Sequence, residues 1–328
     1  MDRRHAVAAF ALLSGIAAFP KALAQGRKSW RIGFLANDPT IPTTPAGKAF
    51  VDGLREHGLV EGKNLVIERR FAEGNLNILS KLAAELVSMD LDLIVATSST
   101  ATLAVKKATA KISIVMVNVT DPVVLGIVPS LGLPQGNITG LINDVSSEIT
   151  SKRLQLLKEA FPAISRIAVL TNPDNQVERL AWDTLERVAP TLGVTVQAFP
   201  VRQGNELVDV FTKIKAERPD ALLGLSGGLI LTYRRVIVAL AAEHRLPAMY
   251  AFTEVTRDGG LMSYAANRPD IYRRAAAYVA RILGGARPAD LPIEQPRKYE
   301  LVLNMKTAKA LELTFPSAVV LRADELIE

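Results

Sequence analysis

The sequence predicts an α/β fold with two Rossmann-like lobes, each built on a parallel sheet. Three observations carry this. Short apolar runs alternate with helical stretches of about 10–15 residues from Trp30 onward, the pattern of βαβ units. About ten such strands are more than one compact sheet takes at this spacing, so two sheets of about five are expected. Small polar loops recur at the strand ends in both halves of the chain.

In the first half, apolar runs at 31–35, 65–69, 91–96 and 112–119 read as strands. Between them, 46–57 places Phe50 and Leu54 at helical spacing and is stopped by Gly58, and 76–89 puts Leu79, Leu82, Ala83 and Leu86 on one face. A further helix runs to Thr109. In the second half, helices are expected at 147–160, 177–192, 206–217 and 229–243, and strands at 166–170, 194–199, 221–225 and 247–252.

The first 24 residues read as an export signal. Arg3 and Arg4 form a basic start, 6–18 is uncharged and apolar, and Ala22-Leu23-Ala24 is a small-x-small cleavage site. The apolar run is too short for a membrane-spanning helix, which needs about 20 residues, and Pro20 breaks it. Cleavage after Ala24 and release into the periplasm are expected. The arginine pair leaves both the general and the twin-arginine export routes open.

Composition narrows the function. The net charge of +6 is spread along the chain with no dense basic run, and aromatic residues are 5%, which disfavours a nucleic-acid surface. There is no cysteine, which excludes disulfides, thiolate metal sites and cysteine nucleophiles. With two histidines beyond the signal, His57 and His244, no metal site is expected. No G-x-G-x-x-G follows the first strand and no phosphate-binding loop occurs, so no nucleotide cofactor is expected. One motif imitates an enzyme. Gly224-Leu225-Ser226-Gly227-Gly228 matches G-x-S-x-G at a strand-to-helix turn. A triad needs a histidine, and His244 falls at the far end of the following helix, roughly 20 Å away at 1.5 Å per residue. Ser226 therefore reads as a helix cap and cleft donor, and no catalytic residue is assigned.

In open α/β sheets ligands sit beyond the carboxyl ends of the strands. Those ends are Asn37-Asp38, Thr97 to Thr100, Asp121, Asn172 to Asn175 and Ser226 to Gly228. Each alone is an ordinary N-cap. Together they offer helix starts and hydroxyls for a carboxylate and an acid for an ammonium group, an inventory that fits an amino acid.

Further stretches carry a resemblance. They are Phe50 to Gly58, Glu61-Gly62-Lys63-Asn64-Leu65, Asp121-Pro122-Val123, Gly136-Asn137-Ile138-Thr139-Gly140, Gly259-Gly260-Leu261-Met262-Ser263-Tyr264, Ile282-Leu283-Gly284-Gly285 and Pro288 to Pro296. In order and spacing they resemble the ABC transporter substrate-binding protein family of the tryptophan/tyrosine importer type, with the type I periplasmic binding protein fold. Leu225-Ser226-Gly227-Gly228 departs from the family, whose members often carry Asp-Pro there.

The resemblance implies two lobes hinged by three chain crossings, near 141–143, 251–254 and 292–296. That places 30–141 and 254–294 in lobe 1, and 142–253 and 295–328 in lobe 2. It implies an amino acid ligand, often aromatic, delivered by a monomeric protein to ABC permease subunits in the inner membrane. A sensor module reporting to an extracytoplasmic receptor is the rival reading. Ser98, Ser99 and Thr100 are expected to hold the ligand carboxylate and Asp121 its amine. Asn37 adds a polar group from lobe 1, Asn172 and Ser226 bond from lobe 2, and Tyr250 either stacks on the ligand or faces the core.

Overall fold

A computed structural model describes residues 29–144 and 146–328; the expected export signal lies outside them. The strands in chain order are β1 (Trp30–Ala36), β2 (Leu65–Phe71), β3 (Leu93–Thr97), β4 (Ser113–Thr120) and β5 (Ile138–Asp144), followed by β6 (Arg166–Thr171), β7 (Thr195–Pro200), β8 (Ala221–Gly224), β9 (Ala248–Tyr250), β10 (Met262–Ala266), β11 (Tyr299–Asn304) and β12 (Glu325–Ile327). They form two sheets, ordered β2-β1-β3-β4-β5 and β12-β11-β10-β9-β8-β6-β7. The first is parallel throughout. The second is parallel except where β10 meets β11. No helix among the described residues is long and apolar enough to cross a membrane.

Each sheet is covered on both faces, which is why its central strands read as continuous apolar runs. In the first sheet Phe34, Leu93, Val95 and Val115 face the helices Pro45–Glu56 and Arg268–Leu283. Leu35, Ile94, Ala96 and Met116 face Leu79–Val87 and Ser99–Ala108. The second sheet is sandwiched likewise. Val169, Leu223 and Leu303 lie on one side, and Leu170, Leu222 and Tyr250 on the other.

The helix Pro45–Glu56 shows how local sequence sets the frame. Thr44 caps it by accepting from the Gly47 amide at 3.2 Å, and Pro45 stands at the first helical position, where no amide is needed. A Cβ on Gly53 would lie 2.9 Å from Ala276 Cβ. The glycine therefore lets this helix press against Arg268–Leu283, from far along the chain.

That contact corrects one expected crossing. The chain does not leave the second sheet at 251–254, because β10 is hydrogen-bonded between β9 and β11. It reaches the first sheet only at Arg268–Leu283. An apolar strand has the same pattern whichever sheet takes it, and the pairing that decides is non-local. The other crossings run side by side, with Glu294 N donating to Gly140 O (3.0 Å) and Ile142 N to Glu294 O (3.0 Å). The helix expected at 229–243 is broken at Tyr233 into Gly228–Thr232 and Arg234–Glu243.

Candidate ligand-binding site

The strand ends of the two sheets face each other across one small cavity. From the first sheet come Asn37 and Asp38 after β1, Ser98, Ser99 and Thr100 after β3, Asn118 and Thr120 on β4, and Asn143 on β5. From the second come Asn175, Val177, Ser226, Gly227 and Gly228, with Phe252, Arg268 and Tyr272 beside the crossing. The water-accessible space is about 60 Å³.

The two halves touch here. A Cβ on Gly228 would lie 2.9 Å from Asn37 Nδ2 of the first half, and within the second half one on Gly227 would lie 1.8 Å from Glu178 Oε1. The two glycines that complete the enzyme-like motif are thus required by close packing and not by a nucleophile elbow.

On the first lobe, Asn37 Nδ2 donates to Ser98 Oγ (3.3 Å) and Thr100 Oγ1 (3.0 Å), which leaves its buried Oδ1 without a partner. Asp38 Oδ1 accepts from the amide and hydroxyl of Thr40 (2.8 and 2.7 Å). Its buried Oδ2 accepts no hydrogen bond, with Arg234 Nη1 4.0 Å away. Asn118 Oδ1 is a third buried acceptor without a partner. An unpaired buried acceptor costs about 1–3 kcal/mol, and three belong to residues that line this one cavity.

Backbone strain gathers at the same place. Ser98 has φ 114° and ψ 160°, a region nearly reserved for glycine, and Asn118 has φ 59°. Ser98 Oγ caps the helix Ser99–Ala108 through the Ala101 amide (3.2 Å). Ser99 Oγ is engaged with Thr120, accepting from its amide (3.0 Å) and donating to its carbonyl (3.3 Å). The first turn of this helix still presents backbone N–H groups that have no intrahelical partner, and the partial positive charge of a helix start.

On the second lobe, Ser226 Oγ accepts from Arg153 Nη1 (3.1 Å) and donates to Asp144 Oδ2 (3.4 Å). Arg153 and Asp144 form a fully buried ion pair at 3.3 Å. His244 stacks on Phe211, centroids 5.9 Å apart, in the opposite part of this lobe.

Of the expected site residues, Asn37, Ser98, Ser99, Thr100 and Ser226 line the cavity. Three do not. Asp121 lies outside it; its amide donates to Asp144 O (3.4 Å), and the acid in the cavity is Asp38. Tyr250 is fully buried among Leu170, Phe211 and Leu222 in the second lobe, so it is a core residue and not a ligand platform. Asn172 borders a smaller recess beside the cavity, together with Glu178. Glu178 accepts from Asn172 N (2.6 Å) and Asn175 Nδ2 (2.8 Å). Burial nevertheless pushes its carboxyl up to about 7, because desolvation outweighs the two donors.

Asp38 was read only as part of its loop, and Asn118, Asn143 and Arg268 were not singled out in the sequence, although all four line the cavity. Arg268 is 4% exposed; its Nη1 donates to Glu254, and its buried Nε makes no hydrogen bond.

Two α/β sheets whose strand ends converge on a polar cleft, linked by three adjacent crossings, define a protein of the type I periplasmic binding class. The chain belongs to the ABC transporter substrate binding protein family, whose model matches residues 42–327. Proteins of this family bind a solute and do not transform it. Among relatives, a tyrosine-binding protein of Clostridioides difficile (strain R20291) is 26% identical over 292 residues, 89% of this chain and 83% of that protein. The crystal structure of a conserved domain protein from Vibrio cholerae matches with a TM-score of 0.84 at 26% identity, covering 91% of this chain and all of that one (100%). An ABC domain from Streptococcus pneumoniae, solved in complex with L-Trp, matches with a TM-score of 0.83 at 24% identity over 92% and 100% of the two chains.

Proposed function

We propose that this protein is the extracytoplasmic solute-binding component of an ABC importer, and that it captures an α-amino acid between its lobes. The observation that carries this reading is the triplet of unpartnered buried acceptors, Asn37 Oδ1, Asp38 Oδ2 and Asn118 Oδ1, in the cavity that also holds the start of the helix Ser99–Ala108. An ammonium group brings three N–H donors and a positive charge to three oxygens, one of them anionic. The first turn of the helix serves the carboxylate. Asp38 takes the role expected of Asp121.

The lobes in this reading are 30–144 with 268–294, and 146–266 with 299–327. The ligand is held from both sides, by the lobe 1 acceptors and by Ser226 and Asn175 of lobe 2. It thereby biases an open–closed equilibrium toward the closed form, which docks on the permease. The signal is removed after Ala24 and the mature chain works in the periplasm as a monomer. The relatives lend support, one being a tyrosine-binding protein and another having been solved with L-Trp.

A thermal-shift screen of amino acids on the mature chain tests the proposal. A ligand present at 100 times its dissociation constant adds about 2.7 kcal/mol. Absence of a shift with every amino acid at millimolar concentration contradicts it.

A further inference from the structure

The three acceptors and the helix start account for the backbone groups of an amino acid, and two features remain that bear on its side chain. The first is Arg268. Its guanidinium carbon lies 5.7 Å from the centre of the Phe252 ring and 5.6 Å from that of Tyr272. These are the two aromatic residues of the cavity wall, one from the second lobe and one from the first. Both rings are therefore already faced by a cation. Glu254 neutralises that cation, yet Nε is left buried and unbonded in a residue that lines the cavity. The second feature is size. A water-accessible space of about 60 Å³ holds roughly four to six waters, while tyrosine and tryptophan have more than twice that number of non-hydrogen atoms.

We infer that Arg268 determines specificity at this site: it occupies the ring faces on which an aromatic side chain would stack, and it offers its free Nε to a short side chain ending in an oxygen. Because Glu254 already balances the guanidinium, a hydroxyl or amide oxygen suits it better than a second carboxylate. The ligand class is a small neutral polar amino acid, of the serine, threonine or asparagine kind. This rests on the proposed function above, and it separates this chain from relatives that take aromatic amino acids.

Calorimetric titration of the mature protein with serine, threonine, asparagine, alanine, valine, tyrosine and tryptophan is the test. The best of the three polar ligands is expected to bind at least about tenfold tighter than alanine, and threonine at least about tenfold tighter than its isostere valine, because the oxygen alone satisfies Nε. Tyrosine and tryptophan are expected to bind at least about tenfold more weakly than the best polar ligand. In Arg268→Met the preference for threonine over valine is expected to vanish. Where the unpaired Glu254 prevents folding of that variant, Arg268→Met with Glu254→Gln removes both charges and is expected to give the same result. Tyrosine or tryptophan binding as tightly as the polar ligands, or valine matching threonine, overturns the inference and leaves the proposed function standing. Binding of no amino acid overturns both.

Discussion

Asn37 and Gly228 meet across the cleft, so closely that a Cβ on Gly228 would sit 2.9 Å from Asn37 Nδ2. Asn37 belongs to the first sheet and Gly228 opens a helix of the second lobe, so the contact exists only while the lobes are together. Gly228→Ala is expected to burden the closed form by about 1–3 kcal/mol of overpacking. Titration should show ligand affinity falling about 5- to 150-fold. Because the open form avoids the contact, the melting temperature of the unliganded protein should fall far less than the ligand-induced shift does.

The two candidate acids separate cleanly. Asp38→Asn removes the charge opposite the ligand ammonium while keeping the shape, and loss of a charged hydrogen bond of about 1.5–3 kcal/mol weakens binding about 10- to 150-fold. Asp121→Ala lies outside the cavity and is expected to change the dissociation constant by less than about twofold. Equal effects of the two substitutions would remove Asp38 from its assigned role.

Glu178 makes stability depend on pH. Burial raises its folded-state carboxyl to about 7 from an ordinary value of 4.5, so the folded protein binds a proton that the unfolded chain releases. The contribution is fully present below about pH 4.5 and is lost as pH rises through 7. Denaturant titrations from pH 4.5 to 8 should show a loss of roughly 3 kcal/mol attributable to this group. In Glu178→Gln, which cannot ionise, that part of the slope is expected to disappear.

Tyr250 carries a hydroxyl buried without a hydrogen-bond partner. Tyr250→Phe deletes only that oxygen, so stability should hold or rise by about 1 kcal/mol, with ligand affinity unchanged. A large loss of affinity in this variant would restore Tyr250 to the binding site.

The frame was legible because buried parallel strands write themselves as apolar runs. Leu93–Thr97 and Ala221–Gly224 lie close to where the pattern puts them. β5 was not read as a strand from the pattern, since Thr139, Gly140, Asn143 and Asp144 interrupt its apolar residues although all are buried or packed. β10 to β12 enlarge the second sheet to seven strands through pairings between distant segments. In the site, the strand ends Asn37, Ser98 and Ser226 could be counted off the sequence. Asp121 could not be excluded that way, because β4 shifts register twice between Val117 and Thr120. A one-residue slip exchanges the faces of a strand. Counting parity along β4 therefore gives no guide to the left-handed Asn118, which lines the cavity, or to Asp121, which does not. Nothing in the sequence pattern marks Arg268 or Glu178 as buried: Glu178 is enclosed within the second lobe by Asn172, Asn175 and Gly227, and Arg268 is paired with Glu254.

The central claim is that an amino acid's ammonium group satisfies three oxygens in the inter-lobe cavity. A crystal structure of the mature protein with the amino acid that binds it tests this most directly. The account expects the ligand nitrogen about 3 Å from Asn37 Oδ1, Asp38 Oδ2 and Asn118 Oδ1, with its carboxylate at the start of the helix Ser99–Ala108. A ligand nitrogen placed on Asp121, or a ligand bound outside this cavity with those oxygens still unbonded, would contradict it.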